Sequence, residues 1–298
     1  MRPQSLQRIL PITFPMLQVM DIGAMPEGAN RYDGLVARNA AHVTGFEPDP
    51  EQLQRLQAMA KPHHQYFPHV LGDGQPQTLH VTRYPGCTSL LEPNPAVIDR
   101  FTAMGTAPGR GNFAVVARRP VQTVRLDDVP NCPEPDFIKL DIQGAELQVL
   151  QSGTRCLRQA SVLEVEVEFV ELYRDQPLFG DIQCFLRSQG FVFHKFIDVA
   201  GRTFKPMTAG NSRYAAMSQA LWADAIFVRD FSQLQAWPMP RLLKSALILH
   251  DAYMSYDLVL AILMEVDARG QTDLAQRYLH HLKQCSEVPI AYMNLRTN

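Results

Sequence analysis

Residues 136–146 constrain the fold of this chain most strongly, because they predict a buried strand, a tight turn and a helix in immediate succession. The apolar strand ends at Asp141, Gly144 marks the turn, and Leu147 and Leu150 share one face of the helix. Ligands of open α/β sheets bind outside the carboxyl ends of the strands. Asp141 is therefore either a site residue or an ordinary helix N-cap.

The N-terminal part of the chain shows the same alternation of strand and helix. A first apolar run ends in Asp21-Ile22-Gly23-Ala24, and a second run ends in Glu47, 26 residues after Asp21. This alternation predicts a doubly wound sheet of parallel strands with right-handed crossovers. A glycine turn after the first strand, with an acidic residue at the end of the second, is typical of a site that binds the ribose of a nucleoside.

The turn after the first strand lacks the phosphate-binding pattern Gly-x-Gly-x-x-Gly. Residues 23–28 include Pro26 and Glu27, and the charge of Glu27 opposes a bound pyrophosphate. The pattern therefore favours a nucleoside without phosphates, and S-adenosylmethionine (SAM) is the obvious candidate. After the third predicted strand, Asp73 precedes Gly74 and either accepts a hydrogen bond from an adenine amino group or is a plain turn residue.

Within residues 161–169, the side chains alternate between apolar and acidic from Leu163 onward. Glu164, Glu166 and Glu168 therefore lie on one face of a predicted strand. Both faces of a parallel sheet are normally covered, and an unpaired buried carboxylate is costly. We therefore expect Glu166 or Glu164 to lie near the site. Elsewhere, residues 79–84 suggest an extra strand, and residues 113–126 a strand pair interrupted at Pro120.

Composition bounds the class of protein. The chain has 298 residues, of which 46% are hydrophobic, and a formal net charge of −2, which suits one large α/β domain with a smaller attachment. The near-neutral charge does not indicate a nucleic-acid partner or an anionic membrane surface. No apolar run approaches the roughly 18 residues of a membrane-spanning helix. The cysteines are scattered, without zinc or disulfide spacing, so we expect reduced thiols in a cytoplasmic protein.

From Trp237 onward the apolar residues follow a helical spacing that predicts about three helices. We therefore expect a sheet domain over residues 1–235 and a C-terminal helical extension over residues 236–298. The extension either packs on the sheet domain or contacts another subunit, and in the second case the chain is a homo-oligomer.

Taken together, these motifs resemble those of the FkbM family of SAM-dependent methyltransferases over about residues 17–230. Two departures stand out. Gly28 comes one position later than the family's usual glycine, and Gln143 stands where the family usually has Glu. The stretches that carry the resemblance are residues 21–24, 46–49, 126–129, 137–146 and 222–229.

The resemblance implies a class I SAM-methyltransferase fold: a Rossmann-like, doubly wound α/β sheet of seven main strands with the last strand antiparallel. It also implies transfer of a methyl group to a hydroxyl of a sugar, a glycan or a secondary metabolite. The residues that we expect to bind SAM are Asp21, Gly23, Ala24, Glu47, Asp49, Asp73, Gly74 and Asp141.

Methyl transfer to a hydroxyl needs a base, because an alkyl hydroxyl is barely ionised at neutral pH. Asp141 is the first candidate for this base, or for a residue that orients the acceptor. Glu146 is the second candidate, and Glu166 is also expected among the catalytic residues. A divalent metal would serve the same purpose by lowering the pKa of the hydroxyl. Asp141 with Glu164 or Glu166 offers ligands for one, although the sequence contains no metal-binding motif.

Two other functions remain open at this point. The first is a nucleotide-dependent oxidoreductase or sugar-modifying enzyme, which the missing phosphate-binding glycines disfavour. The second is a non-catalytic assembly protein that retains the methyltransferase fold, an alternative that the altered spacing of Gly28 leaves open.

Overall fold

The computed structural model of the chain describes residues 3–26 and 28–285. Seven of its strands form one sheet in the order β3-β2-β1-β6-β7-β9-β8, and β4 and β5 form a separate two-stranded sheet. The strands are β1 (Leu17–Ile22), β2 (Ala41–Phe46), β3 (Gln65–Phe67), β4 (Pro76–Thr82), β5 (Val115–Gln122), β6 (Phe137–Leu140), β7 (Val162–Glu168), β8 (Phe191–Gly201) and β9 (Ala220–Arg229).

The described residues contain ten α-helices, of which the first precedes β1 and the others connect or follow the strands. They are α1 (Leu6–Ile9), α2 (Asp33–Ala37), α3 (Pro50–Met59), α4 (Pro95–Ile98), α5 (Glu146–Ser152), α6 (Thr154–Gln159), α7 (Phe179–Ser188), α8 (Met239–Asp251), α9 (Tyr256–Gly270) and α10 (Leu274–Lys283). The last three correspond to the three helices that the spacing after Trp237 predicts.

The directions of the strands confirm the predicted doubly wound sheet. β1 pairs in parallel with β6, β6 with β7, and β2 with β3. The last strand, β9, is antiparallel to both of its neighbours, β7 and β8. Strand β6 is short, but its apolar residues are buried on both faces of the sheet, as the sequence predicts. It delivers Asp141 to the carboxyl edge of the sheet.

The prediction of a strand pair over residues 113–126 is wrong. A single strand, β5, runs through Pro120, which is in register with Thr78 of β4. Both strands of a two-stranded sheet are edge strands, and proline is tolerated there because an edge strand leaves half of its backbone N–H groups unpaired. The extra strand suggested at residues 79–84 is part of β4, which begins earlier, at Pro76.

The chain divides into two compact units. One consists of residues 18–28 and 42–230 and contains nearly all of both sheets; its main core packs around β6 and β7. The other consists of residues 1–17, 29–41 and 231–298, and its described part contains α1, α2 and α8–α10. A functional division into residues 1–235 and 236–298 stays a proposal, and residues 286–298 of that extension lie outside the described residues, as does Glu27.

In the helical unit, the N-terminal segment is held by polar contacts to α8. Asp251 accepts hydrogen bonds from the Ser5 hydroxyl at 2.9 Å and from the Leu6 N–H at 3.0 Å, and it pairs with Arg38. His250 is buried beside it and contacts the Tyr278 hydroxyl and the carbonyl oxygen of residue 4, each at 2.8 Å. These contacts fix residues from both ends of the chain in one unit.

Candidate functional site

The turn at Gly23 joins the carboxyl ends of three strands. Gly23 has a φ of +89°, and a Cβ at this position would overlap the carbonyl oxygen of Asp141, so only glycine fits without a backbone shift. The N–H groups of Gly23 and Ala24 donate to the Phe46 carbonyl at 3.2 and 3.1 Å, and the Asp141 N–H donates to Ile22 at 3.0 Å. The segments that carry the predicted site residues after β1, β2 and β6 are therefore neighbours at one edge of the sheet.

Glu47 follows directly after Phe46 and is 7% exposed. Its Oε1 accepts a 2.7 Å hydrogen bond from the Asp49 N–H. Burial raises the pKa of Glu47 to about 7; the Asp49 N–H opposes this rise, and the carboxylates of Asp49 and Asp21 add to it. Glu47 thus lies where the sequence predicts a ribose-binding acid, and its charge changes near neutral pH.

Asp49 and Asp73 accept hydrogen bonds within their own turns, and Gly74 contacts the segment after β5. Oδ1 of Asp49 accepts from the N–H groups of Glu51 and Gln52, at 3.0 and 3.1 Å, which caps α3. Asp73 is half-buried and accepts from the Gln75 N–H at 2.9 Å. The Gly74 N–H donates to the hydroxyl of Thr123 at 3.0 Å. These contacts do not link the three residues to the group around Asp141.

Asp21 is 1% exposed, and its Oδ1 lies 3.5 Å from Nζ of Lys139 in the middle of the sheet. The strand register places Lys139 between Asp21 of β1 and Glu164 of β7. Burial opposes the charge of Lys139, but the carboxylates of Asp21, Asp141, Glu164 and Asp224 together raise its pKa above the usual value.

Lys139 therefore balances the negative charges of several acids from different strands, and no motif in the sequence marks it as a member of this group. The only signal was a lysine inside an apolar strand, and sequence alone does not give the register that surrounds it with carboxylates. Glu164, one of the two acids expected near the site, lies beside this lysine.

Gln143 connects Asp141 with Glu166. Its Nε2 donates to Oδ1 of Asp141 at 3.1 Å and to Oε2 of Glu166 at 2.6 Å. Its Oε1 accepts from the Tyr173 hydroxyl at 3.2 Å, and its carbonyl accepts from the Ser89 hydroxyl at 2.7 Å. Four side chains therefore hold the Gln143 residue, whose φ of 63° is uncommon for a residue other than glycine.

Glu146, the second candidate base, lies under the same turn. It is 1% exposed, and its two carboxylate oxygens accept from the N–H groups of Ile142 and Gly144, at 2.9 and 2.8 Å. Burial raises the pKa of Glu146 to about 7, and these N–H groups oppose the rise. Its contacts are those of a residue that closes the turn.

A cavity of about 1150 Å³ lies beside this group, and Gln143, Glu166 and Glu168 line it. Burial raises the pKa of Glu166 well above its ordinary value, and the neighbouring carboxylates of Asp141 and Glu168 raise it further. Burial also raises the pKa of Glu168, whose Oε2 has no hydrogen-bond partner among the described residues. Two buried carboxyl groups therefore line the cavity, and one of their oxygens has no hydrogen-bond partner among the described residues.

Two further features are absent from residues 3–26 and 28–285. No group of three or more His, Cys, Asp or Glu side chains in this part of the chain is arranged to hold a metal ion. Likewise, no helix in the described part is both long and apolar enough to cross a membrane.

The strand order, the antiparallel last strand and the glycine turn beside a strand-terminal acid define the fold of the class I SAM-dependent methyltransferases. A family model described as the methyltransferase FkbM domain matches residues 21–193. The chain therefore belongs to the FkbM methyltransferase family. A search of curated proteins finds no match.

Several solved structures are similar to this chain in fold. One is a putative methyltransferase from Thermoplasma acidophilum, with 7% identity, a TM-score of 0.36 and coverage of 73% of this chain and 70% of that one. Another is a SAM-dependent methyltransferase from Mesorhizobium loti, with 11% identity, a TM-score of 0.37 and coverage of 75% and 95%. A third is a TehB-like SAM-dependent methyltransferase from Corynebacterium glutamicum, with 12% identity, a TM-score of 0.33 and coverage of 75% and 86%.

Proposed function

We propose that this chain is a SAM-dependent O-methyltransferase that acts on a hydroxyl of a sugar, a glycan or a secondary metabolite. The observation that carries the proposal is the hydrogen-bonded link from Asp141 at the sheet edge, through Gln143, to Glu166 in the cavity. It connects the expected cofactor side of the site with a space large enough for an acceptor, since ligand pockets typically measure about 300–1,000 Å³.

The residues at the sheet edge suit a nucleoside with a positively charged sulfonium. Glu47 offers a fixed carboxylate to ribose hydroxyls, next to the turn of Gly23 and Ala24. A Cβ at Gly28 would meet nothing within 4 Å, so the late position of this glycine leaves open space rather than a blocked turn. Asp141 adds negative charge near the expected sulfonium. We assign Asp21, Asp49, Asp73 and Gly74 to the surroundings of the same cofactor site.

Glu166 is the group that we assign to proton transfer. When bound, SAM would supply an electrophilic methyl carbon for a bond to the acceptor oxygen, with the neutral thioether as the leaving group. Glu166 takes the hydroxyl proton as that bond forms. Gln143 holds Oε2 of Glu166 in place, and Tyr173 in turn holds the amide of Gln143.

Asp141 and Glu146 keep distinct places in the catalytic assignment. Asp141 shares the amide of Gln143 with Glu166, so we assign it to orienting the reacting groups beside the cofactor. Glu146 has both oxygens bound to backbone N–H groups, and we assign it to maintaining the turn that presents Gln143.

Calorimetry with S-adenosylhomocysteine, followed by assays of methyl transfer to a panel of hydroxylated acceptors, tests the proposal. We expect binding to the wild type, and we expect Asp141→Asn to reduce turnover more than it reduces binding. Binding of NADH without binding of S-adenosylhomocysteine would favour a nucleotide-dependent enzyme instead. Absence of both would favour a non-catalytic assembly protein.

The remaining assignments are also proposals. We expect a cytoplasmic protein that binds neither nucleic acid nor membranes, as its near-neutral charge suggests. We also propose that the C-terminal helical extension mediates self-association, which size-exclusion chromatography with light scattering tests directly.

A further inference from the structure

Besides its carboxylates, the cavity contains an excess of cationic side chains. The chain as a whole has a formal net charge of −2, so this excess is local. None of these cations pairs with a carboxylate of the described residues. The five are Arg83, Arg110, Arg202, Lys205 and Arg213.

Arg202 is the most informative of these cations. Its guanidinium carbon lies 4.9 Å from the centre of the Trp222 ring, and one of its terminal nitrogens donates to the Gly201 carbonyl at 2.7 Å. Its Nε is buried and finds no hydrogen-bond partner among the described residues. Burial lowers the pKa of Arg202, as expected for a cation that lacks a neighbouring anion. A buried donor of this kind is costly unless something in the cavity accepts from it.

Lys205 is held in place without being neutralised. Its Nζ donates to the carbonyl oxygens of Asp99 and Met104, both at 3.0 Å. An ammonium group has three donors, so one donor of Lys205 is left for a ligand. Carbonyl oxygens orient the ammonium group, but they do not cancel its charge.

Three carboxylates, those of Asp99, Glu166 and Glu168, line the cavity together with the five cations. The two oxygens of Asp99 accept from the N–H and the hydroxyl of Thr106, at 2.8 and 2.7 Å. Even with all three carboxylates ionised, the cations in the lining exceed them by two, five against three. The field inside the cavity is therefore positive, and a cavity with low-dielectric walls concentrates such a field on its ligand.

We propose that the acceptor carries an anionic group, a phosphate or a carboxylate, in addition to the hydroxyl that is methylated. The guanidinium group of Arg202 binds such an anion in a fork of parallel hydrogen bonds, and Lys205 adds a point charge. The proposal rests on the assignment of this cavity to the acceptor under the proposed function, and it narrows the acceptor to anionic sugars or comparably charged metabolites.

Tryptophan fluorescence supplies a test that does not depend on turnover. Trp222 lines the cavity, and in a Trp237→Phe background it is the only tryptophan of the chain. Glucose, glucuronate and glucose 6-phosphate are titrated at constant ionic strength with saturating S-adenosylhomocysteine. We expect at least one of the two anionic sugars to bind about tenfold more tightly than glucose, which corresponds to roughly 1.4 kcal/mol. The affinities for glucuronate and glucose 6-phosphate then show whether the site prefers a carboxylate or a phosphate.

Variants separate a specific anion site from general charge effects. Arg202→Gln should abolish the preference for the anionic sugar. Arg213→Gln, at an exposed position, should reduce the preference and serves as the test if Arg202→Gln proves unstable. Arg119→Gln, at an exposed position of β5 outside the cavity lining, should leave the preference unchanged.

Equal binding of glucose and both anions, or no binding of any of them, would overturn the anionic acceptor. A preference that Arg119→Gln reduces as much as Arg202→Gln would overturn it as well. Loss of S-adenosylhomocysteine binding with an intact anion preference would contradict the proposed methyl transfer and leave the anion site standing.

Discussion

Gln143 donates a 2.6 Å hydrogen bond from Nε2 to Oε2 of Glu166. The same nitrogen donates to Asp141, so a neutral amide joins two carboxylates that would otherwise face each other. A glutamate at this position, which the family resemblance leads one to expect, would replace the donor with a third carboxylate. Gln143 also keeps a positive φ that few side chains adopt. Backbone strain of this kind persists where the surrounding structure enforces it, often at functional sites.

Replacement of Glu166 by Gln should remove the proton acceptor and leave the shape of the cavity. We expect methyl transfer to fall by about 10²–10⁴-fold, the usual contribution of a general base, with little change in the affinity for S-adenosylhomocysteine. Steady-state kinetics and calorimetry measure the two effects. Glu171→Gln, at an exposed position after the same strand, is the matched control. Full activity of Glu166→Gln would remove Glu166 from the catalytic role.

Because the pKa of Glu166 is raised, its carboxylate form becomes more populated as the pH rises. A base must be deprotonated to accept a proton, so turnover in the wild type should increase with pH. In Glu166→Gln the residual turnover should depend less on pH. Equal pH profiles of the two proteins would contradict this role.

Replacement of Gly23 by Ala combines two costs, a φ of +89° and an overlap with the Asp141 carbonyl. Gly28 has a φ of +98° and open space around it, so Gly28→Ala isolates the conformational cost. We expect Gly28→Ala to lower the free energy of unfolding by about 1–2 kcal/mol and Gly23→Ala to lower it by clearly more. Urea unfolding followed by circular dichroism provides both values, and equal values would mean that the overlap relaxes without cost.

Binding of the cofactor should depend on the protonation of Glu47. Because its pKa is raised to about 7, the carboxylate that accepts from ribose hydroxyls forms only as the pH rises through neutrality. Affinity for S-adenosylhomocysteine should therefore increase from below to above pH 7. Glu47→Gln should flatten this profile, and Glu47→Ala should cost about 1–3 kcal/mol of binding. Glu51→Gln, exposed on the neighbouring helix, is the control. If the affinity of Glu47→Gln kept the pH dependence of the wild type, Glu47 would not be the titrating group.

His250 should make the helical unit sensitive to acid. Burial lowers its pKa below 6.5, while the Gln4 carbonyl and Asp251 act in the opposite direction. Since the folded-state pKa is the lower one, the stabilisation by neutral His250 is present above pH 6.5 and is lost as the pH falls below it. The protection factors of α8–α10 in hydrogen exchange, which are corrected for the intrinsic pH dependence of exchange, should therefore fall on acidification, less so in His250→Gln than in the exposed control His280→Gln. The same fall in protection in both variants would assign the effect to other groups.

The sequence alone was sufficient for the strand–turn–helix unit around Asp141, the glycine turn at Gly23 and the acid at the end of β2. Each is a local pattern in which burial, backbone conformation and spacing agree. The doubly wound sheet also followed, because alternating strands and helices leave few arrangements that bury both faces of a parallel sheet; the number of seven strands and the antiparallel last strand were implied by the family resemblance. The prediction of a strand break at Pro120 was wrong, because the propensity of one residue does not reveal that its strand is an edge strand.

Tertiary structure alone decided which acids act together. Strand register surrounds Lys139 with carboxylates, and the positive φ of Gln143 turns its amide between Asp141 and Glu166. The arginines that line the cavity come from distant segments of the chain, so no local sequence pattern predicts that they lie together. Short-range patterns determine the elements, whereas the charge environment of a site depends on residues that meet only when the chain is packed.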